Sequence, residues 1–138
     1  MDITEALTYA RQHDHGVLTT LKTDGRPQLS NINYAVGDDG VIRISITDGR
    51  AKTANLRRDP RASLHVTAEN FWSYVVIEAD AELSAVATEP GDAAVEELID
   101  LYRQVQGEHP DWDDYRQAMV IDHRIVCRLH PINAYGMA

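Results

Sequence analysis

Residues 41–61 read Val41-Ile-Arg-Ile-Ser-Ile-Thr47, Asp48-Gly49, Arg50-Ala-Lys-Thr-Ala-Asn-Leu-Arg-Arg58 and Asp59-Pro60-Arg61. Isoleucine at positions 42, 44 and 46 alternates with polar residues, which predicts a β-strand with one face in the core. Asp48-Gly49 ends this strand, and residues 50–58 predict a two-turn helix that ends before Pro60. The chain therefore runs from a strand through a tight turn directly into a short helix.

The remaining sequence predicts mostly strands joined by short turns. Strands are expected at 17–21, 28–36, 61–68 and 72–86, and a last strand at 124–129 continues as an extended segment to Tyr135. Asp24-Gly25 and Asp38-Asp39-Gly40 are typical turns between the first three strands. The strand at 72–86 is long enough to require a bend, such as a β-bulge. About six strands of this kind predict a mainly β protein built as a small antiparallel barrel.

Three further helices are expected around these strands. One covers residues 2–12, and two follow the fifth strand, at 88–107 and after the capping residue Asp111. A doubly wound parallel sheet would need a helix after nearly every strand, and no G-x-G-x-x-G motif is present, so a Rossmann fold is excluded. Without repeats or linkers, residues 1–138 are expected to form one domain.

Composition narrows the class of protein. The 138 residues are 43% hydrophobic and 25% charged, which is typical of a globular domain. No apolar run could span a membrane, and the acidic residues near the N-terminus argue against a signal peptide, so a cytoplasmic location is expected. The only cysteine, Cys127, agrees with a reducing compartment and is expected to be buried and inert.

Charge is distributed unevenly. The chain has a net charge of −9, which disfavours nucleic acid or an anionic membrane as partner. Residues 50–61 nevertheless carry a net charge of +4, whereas residues 88–114 carry −8. Arg50 and Lys52 stand at a helix N-terminus, where each cation costs the helix about 0.3–1 kcal/mol unless an anion binds there. The pattern predicts a phosphate or carboxylate site; the alternative is a solvated basic helix paired with the acidic residues 88–114.

Other kinds of site find no support. The six histidines show neither H-E-x-x-H nor facial-triad spacing, so no metal site is predicted. There is no G-x-S-x-G motif and no Ser/His/Asp order that can be singled out, which disfavours a hydrolase.

Five segments together resemble a known family. They are Gly16-Val-Leu-Thr-Thr-Leu21, Asp24-Gly-Arg-Pro-Gln-Leu-Ser-Asn31, Arg50 to Arg61, Trp72-Ser-Tyr74 and Asp111-Trp-Asp-Asp-Tyr-Arg-Gln-Ala-Met119. On these segments the chain resembles the pyridoxamine 5′-phosphate oxidase-like split β-barrels, and specifically their actinobacterial flavin/deazaflavin oxidoreductase branch. It is similar to members that bind coenzyme F420. The resemblance implies an FMN-binding-like split barrel and a homodimer with two cofactor sites at the subunit interface.

Carried over position by position, the resemblance also implies a cofactor site. The phosphate would be surrounded by Arg50, Ala51, Lys52 and Thr53, and the ring and the ribityl chain would be lined by Ser45, Ile46 and Thr47. Beside the ring would lie Gln28, Ser30, Asn31 and Asn33, and the other subunit would contribute Trp72 and Tyr74. An acidic tail of the cofactor would pair with Arg57, together with Arg58 and Arg61.

The implied activity is hydride transfer between the deazaflavin and an electron-poor small organic substrate, with no catalytic residue assigned. Because flavin-binding members share the Arg-x-Lys-Thr motif, an FMN-binding flavoprotein is an alternative, and a non-catalytic F420 carrier is another. Asn31 and Asn33 could instead be polar residues of an edge strand, and Trp72 could be a core or interface aromatic.

Overall fold

An alternation of apolar and polar residues builds the sheet. In the computed structural model, which describes residues 1–138, the elements are α1 (Ile3–Ala10), β1 (His15–Leu21), β2 (Pro27–Asn33), β3 (Ala35–Val36), β4 (Ile42–Thr47), α2 (Ala51–Arg58), β5 (Arg61–Thr67), β6 (Tyr74–Leu83), α3 (Ala93–Gln106), α4 (Trp112–Ile121) and β7 (Arg124–Met137). All strand pairs are antiparallel, in the order β2-β1-β5-β6-β7-β4-β3. The protein is thus mainly β, with one curled sheet and four helices.

The sheet has seven strands rather than the six predicted. The segment 28–36, predicted as one strand, is interrupted at Tyr34, so that β2 pairs with β1 while β3 pairs with β4. Tyr34 is buried, its backbone N–H donates to the carbonyl of Asp14, and its hydroxyl donates to the carbonyl of Ala10. Because Tyr34 and Ala35 are both buried, the period-two alternation fails at this point, and the chain crosses from one edge of the sheet to the other.

The main core fills the inside of the curled sheet. Ile42, Ile44 and Ile46 point inward as predicted, and they pack with the inward residues of β1, β5, β6 and β7. A second, smaller core lies outside the sheet, where α3 and α4 cover Val126 of β7. Burial of an aliphatic side chain of this kind contributes about 1.5–3 kcal/mol, so both cores hold the helices and strands in place.

The long strand predicted at 72–86 is shorter in the structure, where β6 covers Tyr74–Leu83, and the β-bulge lies on its partner β7 rather than on β6 itself. Strand β6 pairs with β7 along its whole length, and the register shifts between Glu78 and Ala79. On β7 the partners of these residues are Asn133 and Pro131, which leaves Ile132 as the extra residue of a β-bulge. Strand β7 therefore extends to Met137, beyond the predicted end at residue 129, because the extended segment after residue 129 pairs with β6.

A carboxylate fixes α3 to the sheet. Glu97 of α3 accepts hydrogen bonds from Arg43 of β4, at 2.9 Å, and from the guanidinium of Arg128 of β7. Both arginines hold the pKa of Glu97 below its usual range, with Arg128 the larger cause. None of the four helices combines the length and the apolar character that crossing a membrane would need.

Candidate functional site

A cleft of about 460 Å³ lies where the ends of β2 and β4 and the start of α2 face α3 and α4. Seven of the residues predicted for the site line it: Asn31, Asn33, Ser45, Ile46, Thr47, Arg50 and Lys52. Ile46 has its side chain in the core, so it offers the cleft only its backbone. Residues that are 12 or more positions apart in sequence are thereby brought to one place by the pairing of the strands.

The turn between β4 and α2 is fixed by two hydrogen bonds to one carbonyl. The backbone N–H of Arg50 donates to the carbonyl of Thr47 at 3.2 Å, and the buried hydroxyl of Thr53 donates to the same oxygen at 2.6 Å. Arg50 occupies the N-cap position of α2, and no side chain caps the helix. The first-turn N–H groups of α2 therefore remain available to an external anion, whereas the hydroxyl hydrogen of Thr53 is already committed.

Three cations meet at this end of the cleft. Burial lowers the pKa of Lys52, and the nearby positive charges of Arg50 and Arg124 lower it further. The ion pairs of the chain include neither Arg50 nor Lys52. Like charges held together in a partly desolvated place raise the free energy of the protein unless an anion joins them. This end of the cleft is therefore built for negative charge.

Arg124 adds an unsatisfied donor to this cluster. Its Nε is buried and has no hydrogen-bond partner, and the nearest carboxylate oxygen, that of Asp122, is 3.8 Å away. A buried charged donor without a partner costs about 1–3 kcal/mol or more. A phosphate oxygen in the cleft would satisfy both the charge and the donor.

Arg124 was not among the predicted site residues, because it belongs to the far end of the chain. The signal was present only in the strand pairing: Thr47 and Arg124 lie directly opposite each other in the β4–β7 ladder. This register places Arg124 beside the β4–α2 turn, and the sequence alone does not show it.

The match with known sequences covers almost the whole chain. Residues 3–133 match the profile of the family described as pyridoxamine 5′-phosphate oxidase. The chain belongs to this family.

Solved structures support the same fold. A conserved hypothetical protein from Mycobacterium tuberculosis superposes with a TM-score of 0.75 at 24% identity, covering 99% of this chain and 84% of that one. An F420 reductase gives a TM-score of 0.62 at 22% identity, covering 88% and 89%. A heme storage protein from Vibrio cholerae gives 0.69 at 16% identity, covering 99% and 95%. At these identities the likeness establishes the pyridoxamine 5′-phosphate oxidase-like fold.

In this member of the pyridoxamine 5′-phosphate oxidase family, several predicted residues lie next to the cleft but not in it. Gln28 and Ser30 hydrogen-bond to each other at 2.9 Å, and Gln28 accepts from the buried hydroxyl of Thr20, which in turn accepts from Asn55 of α2. These polar groups attach α2 to the sheet. Ala51 is exposed and borders a separate depression of about 310 Å³ together with Gln28.

The other basic residues of the segment 50–61 are paired within the chain. Arg57 pairs with Asp48 at 2.8 Å, and Arg61 pairs with Asp59 at 2.8 Å. Arg58 donates to the carbonyl of Leu21 at 2.6 Å. Of the five cations that the sequence concentrates here, only Arg50 and Lys52 line the cleft.

Trp72 and Tyr74 do not reach the cleft of their own chain. They lie at the β5–β6 turn, where Trp72 is 77% exposed and packs edge-on against Phe71, while Tyr74 packs against His65. Phe71 has a left-handed backbone, with φ of 72°, and the Asn70 side chain accepts hydrogen bonds from the N–H groups of Trp72 and Ser73. The turn thus presents two aromatic rings to the surface.

The helical wall of the cleft was not predicted. Six residues of α3 and α4 line it, namely Leu101, Tyr102, Val105, Gln106, Tyr115 and Met119. Apolar residues recur at helical spacing along α3, which is typical of a stripe that faces the core, and Val95, Leu98 and Ile99 are indeed buried. Tyr102 and Val105 continue the same stripe, but they are only half-buried and line the cleft. Hydrophobic periodicity does not distinguish a residue in the core from a residue in the wall of a cleft.

Other parts of the molecule offer no competing chemistry. Cys127 is fully buried, which raises the pKa of its thiol to about 12, so the thiol is not a nucleophile. No group of three His, Cys, Asp or Glu side chains could hold a metal ion, and no histidine lines the cleft. A depression of about 650 Å³ beside α3 contains mainly charged residues, including Arg43 and Glu97, which already pair with each other.

Proposed function

We propose that the protein is an oxidoreductase that binds coenzyme F420 in the cleft and transfers a hydride to an electron-poor small organic molecule. The cluster of Arg50, Lys52 and Arg124 supports the proposal: Arg50 and Lys52 belong to no ion pair of the chain. Arg124 has only the carboxylate of Asp122 at 3.8 Å, and its buried Nε donor has no hydrogen-bond partner. Such a cluster beside a helix N-terminus suits a phosphate group. The F420 reductase among the structural relatives favours the deazaflavin.

The cleft also fits the planar part of such a cofactor. Its volume of about 460 Å³ lies within the usual range for ligand sites, and one wall is polar while the other is largely apolar. Asn31, Asn33, Ser45 and Thr47 offer amide and hydroxyl groups along the sheet, whereas the side chains of α3 and α4 offer an apolar surface. The phosphate at Arg50 would fix one end of the cofactor, so that the ring lies along β4.

The protein's contribution to the reaction is position and exclusion of water. A bound, reduced deazaflavin supplies a hydride for an electron-poor double bond. The cations orient the cofactor through its phosphate, and the α3–α4 wall shields the ring from solvent and holds the substrate against it. No acid–base pair of the kind found in hydrolases is needed for this chemistry.

A second copy of the chain is proposed to complete the site. The outer sheet face, meaning the side of β2, β1, β5, β6 and the end of β7 that points away from the main core, lies outside both cores in which the helices pack. One row of directly opposed residues crosses it, namely Asn31, Val17, His65, Val76 and Tyr135. Asn31 also lines the cleft, so a subunit seated on this face would border the cofactor. Trp72 and Tyr74 lie at the end of the same face and are proposed to reach the partner's cofactor.

FMN is the second candidate, because three cations also match the dianionic charge of a phosphate monoester. The outcome is decided by titrating the purified protein with F420 and with FMN in parallel, following the fluorescence of each cofactor, with hemin as a third ligand. We expect saturable quenching of F420 at lower concentration than of FMN. Tighter binding of FMN would identify FMN rather than F420 as the cofactor, and binding of hemin alone would overturn the proposal.

Turnover distinguishes an enzyme from a carrier. The protein loaded with reduced F420 is mixed with a panel of enones and quinones, and reoxidation is followed by the return of F420 absorbance. We expect reoxidation well above the rate in buffer. A reduced cofactor that binds but stays reduced with every compound would identify a carrier.

A further inference from the structure

The ring of Tyr102 is held in place by three other aromatic rings. Its centroid lies 5.2 Å from that of His109, 5.7 Å from Trp112 and 5.0 Å from Tyr115. Edge-on arrangements of this kind contribute about 0.5–1.5 kcal/mol for each pair beyond the area that they bury. Tyr102 lines the cleft. Its side chain therefore enters the site with a fixed orientation rather than as a mobile surface group.

The hydroxyl of Tyr102 is free, in contrast to that of its neighbour. Tyr115 donates its hydroxyl hydrogen to the carbonyl of Leu98 at 3.0 Å, and burial raises the pKa of Tyr115 to about 12. Tyr9 and Tyr34 likewise donate to backbone carbonyls. Tyr102 makes no hydrogen bond with any residue of the chain. It is thus the one tyrosine lining the cleft whose hydroxyl can serve a ligand.

We propose, on the basis of the function proposed above, that Tyr102 donates a hydrogen bond and then a proton to the carbonyl oxygen of an apolar, conjugated carbonyl substrate. Leu101, Val105 and Met119 line the same cleft as Tyr102 and would contact the carbon skeleton. A substrate between this wall and the cofactor ring would have its apolar part against the helices and its oxygen at the phenol. The substrate class is therefore the α,β-unsaturated ketones and related compounds.

The proposed step balances in atoms and charge. The β-carbon of the substrate would gain a hydride from the reduced cofactor, the electrons of the C=C π bond would form a new double bond between the α-carbon and the carbonyl carbon, and the C=O π electrons would move to oxygen. The oxygen takes the proton of Tyr102, which gives an enol that tautomerises to the saturated ketone in water. Water returns a proton to the phenolate. The substrate is reduced by two electrons, and the cofactor is oxidised by two electrons and releases one proton to solvent.

The Tyr102→Phe variant tests this role, because it keeps the ring and its three aromatic contacts while removing the hydroxyl. Tyr34→Phe is the matched control, since the Tyr34 hydroxyl donates to the carbonyl of Ala10 in the core, and Tyr34 does not line the cleft. The first measurement is equilibrium binding to protein loaded with oxidised F420, followed by ligand-observed NMR. The probes are benzylacetone, which has a ketone but no conjugated C=C bond, and butylbenzene, which lacks the oxygen.

For Tyr102→Phe we expect benzylacetone to bind at least fivefold more weakly and butylbenzene to bind as in the unchanged protein. With benzylideneacetone as substrate, kcat should fall at least tenfold while the Kd of F420 stays within twofold. Unchanged benzylacetone affinity together with unchanged kcat would overturn the role of Tyr102. If the unchanged protein does not bind F420, the proposed function itself fails.

Discussion

The hydroxyl of Thr53 and the carbonyl oxygen of Thr47 are 2.6 Å apart, and this hydrogen bond ties the first turn of α2 to the end of β4. Thr53 is 0% exposed, so the bond is shielded from water. It directs the open N-terminus of α2 and the side chains of Arg50 and Lys52 into the cleft. The threonine that the family resemblance assigns to the phosphate thus also sets the position of the groups around it.

Replacing Thr53 should affect both stability and binding. Thr53→Val keeps the shape but removes the hydroxyl, so we expect a loss of about 1 kcal/mol in the free energy of unfolding, since that is the net contribution of one hydrogen bond. F420 should also bind several-fold more weakly, because α2 is no longer tied to Thr47. Urea unfolding and fluorescence titration measure the two effects. Thr8→Val, at an exposed position of α1, is the control; equal behaviour of the two variants would contradict this role.

Glu97 should matter most for the attachment of α3. Glu97→Gln removes the charge that Arg43 and Arg128 share, and hydrogen bonds to charged groups contribute about 1.5–3 kcal/mol, so we expect about 2 kcal/mol of destabilisation at neutral pH. Glu69→Gln, at an exposed position, should change little. Urea unfolding of both variants at pH 7 makes the comparison.

The same carboxylate predicts a pH dependence. Because the pKa of Glu97 in the folded state is lowered from 4.5, its contribution is complete above that value and is lost as the pH falls through the lower folded pKa. The unchanged protein should therefore lose stability in acid more steeply than Glu97→Gln does. Unfolding curves at pH 7, 4.5 and 3.5 test this, and parallel losses in the two proteins would refute the assignment.

Cofactor affinity should fall at alkaline pH. The pKa of Lys52 lies below 10.5 because of burial and the charges of Arg50 and Arg124. A bound phosphate favours the ammonium form, so the complex keeps the proton at pH values where the free protein loses it, and binding weakens as the pH rises through the pKa of the free protein. Lys52→Arg keeps its charge and should give a flatter profile. An equally steep decline in both proteins would assign the effect to another group.

The proposed dimer depends on the outer sheet face. Tyr135 is 49% exposed in the row that leads to the cleft, so Tyr135→Glu should place a charge in the interface and give a monomer by sedimentation at micromolar concentration. Ile121→Glu, at a 73% exposed position at the end of α4, should leave the dimer intact. The proposal fails if the unchanged protein sediments as a monomer, or if both variants dissociate equally.

Local patterns predicted the parts of the fold that local chemistry decides. The alternating isoleucines of β4 and the glycine-containing turn before α2 lie where they were expected. The break at Tyr34 was missed, because it depends on hydrogen bonds to residues more than 10 positions away. The alternation of apolar and polar residues along one strand gives no information about such long-range hydrogen bonds.

The candidate site was predictable on the side that the β4–α2 segment supplies. Arg124 and Tyr102 were missed because they reach the cleft through the β4–β7 pairing and through the packing of α3, which are both long-range. Trp72 and Tyr74 remain a prediction, since their proposed role requires a second subunit. The sequence thus predicts which segment would hold an anion, and the fold indicates what lies opposite to that segment.

The proposed function requires that the cationic end of the cleft, formed by Arg50, Lys52 and Arg124, holds the phosphate of the cofactor. Fluorescence titration with F420 tests it on Lys52→Ala and Arg124→Ala, with Lys22→Ala, the other lysine of the chain and part of the β1–β2 hairpin, as the matched control. We expect at least tenfold weaker binding for the first two variants, about 1.4 kcal/mol or more, and an unchanged Kd for the third. If all three variants bind F420 with the same affinity, the cationic end of the cleft does not hold the phosphate.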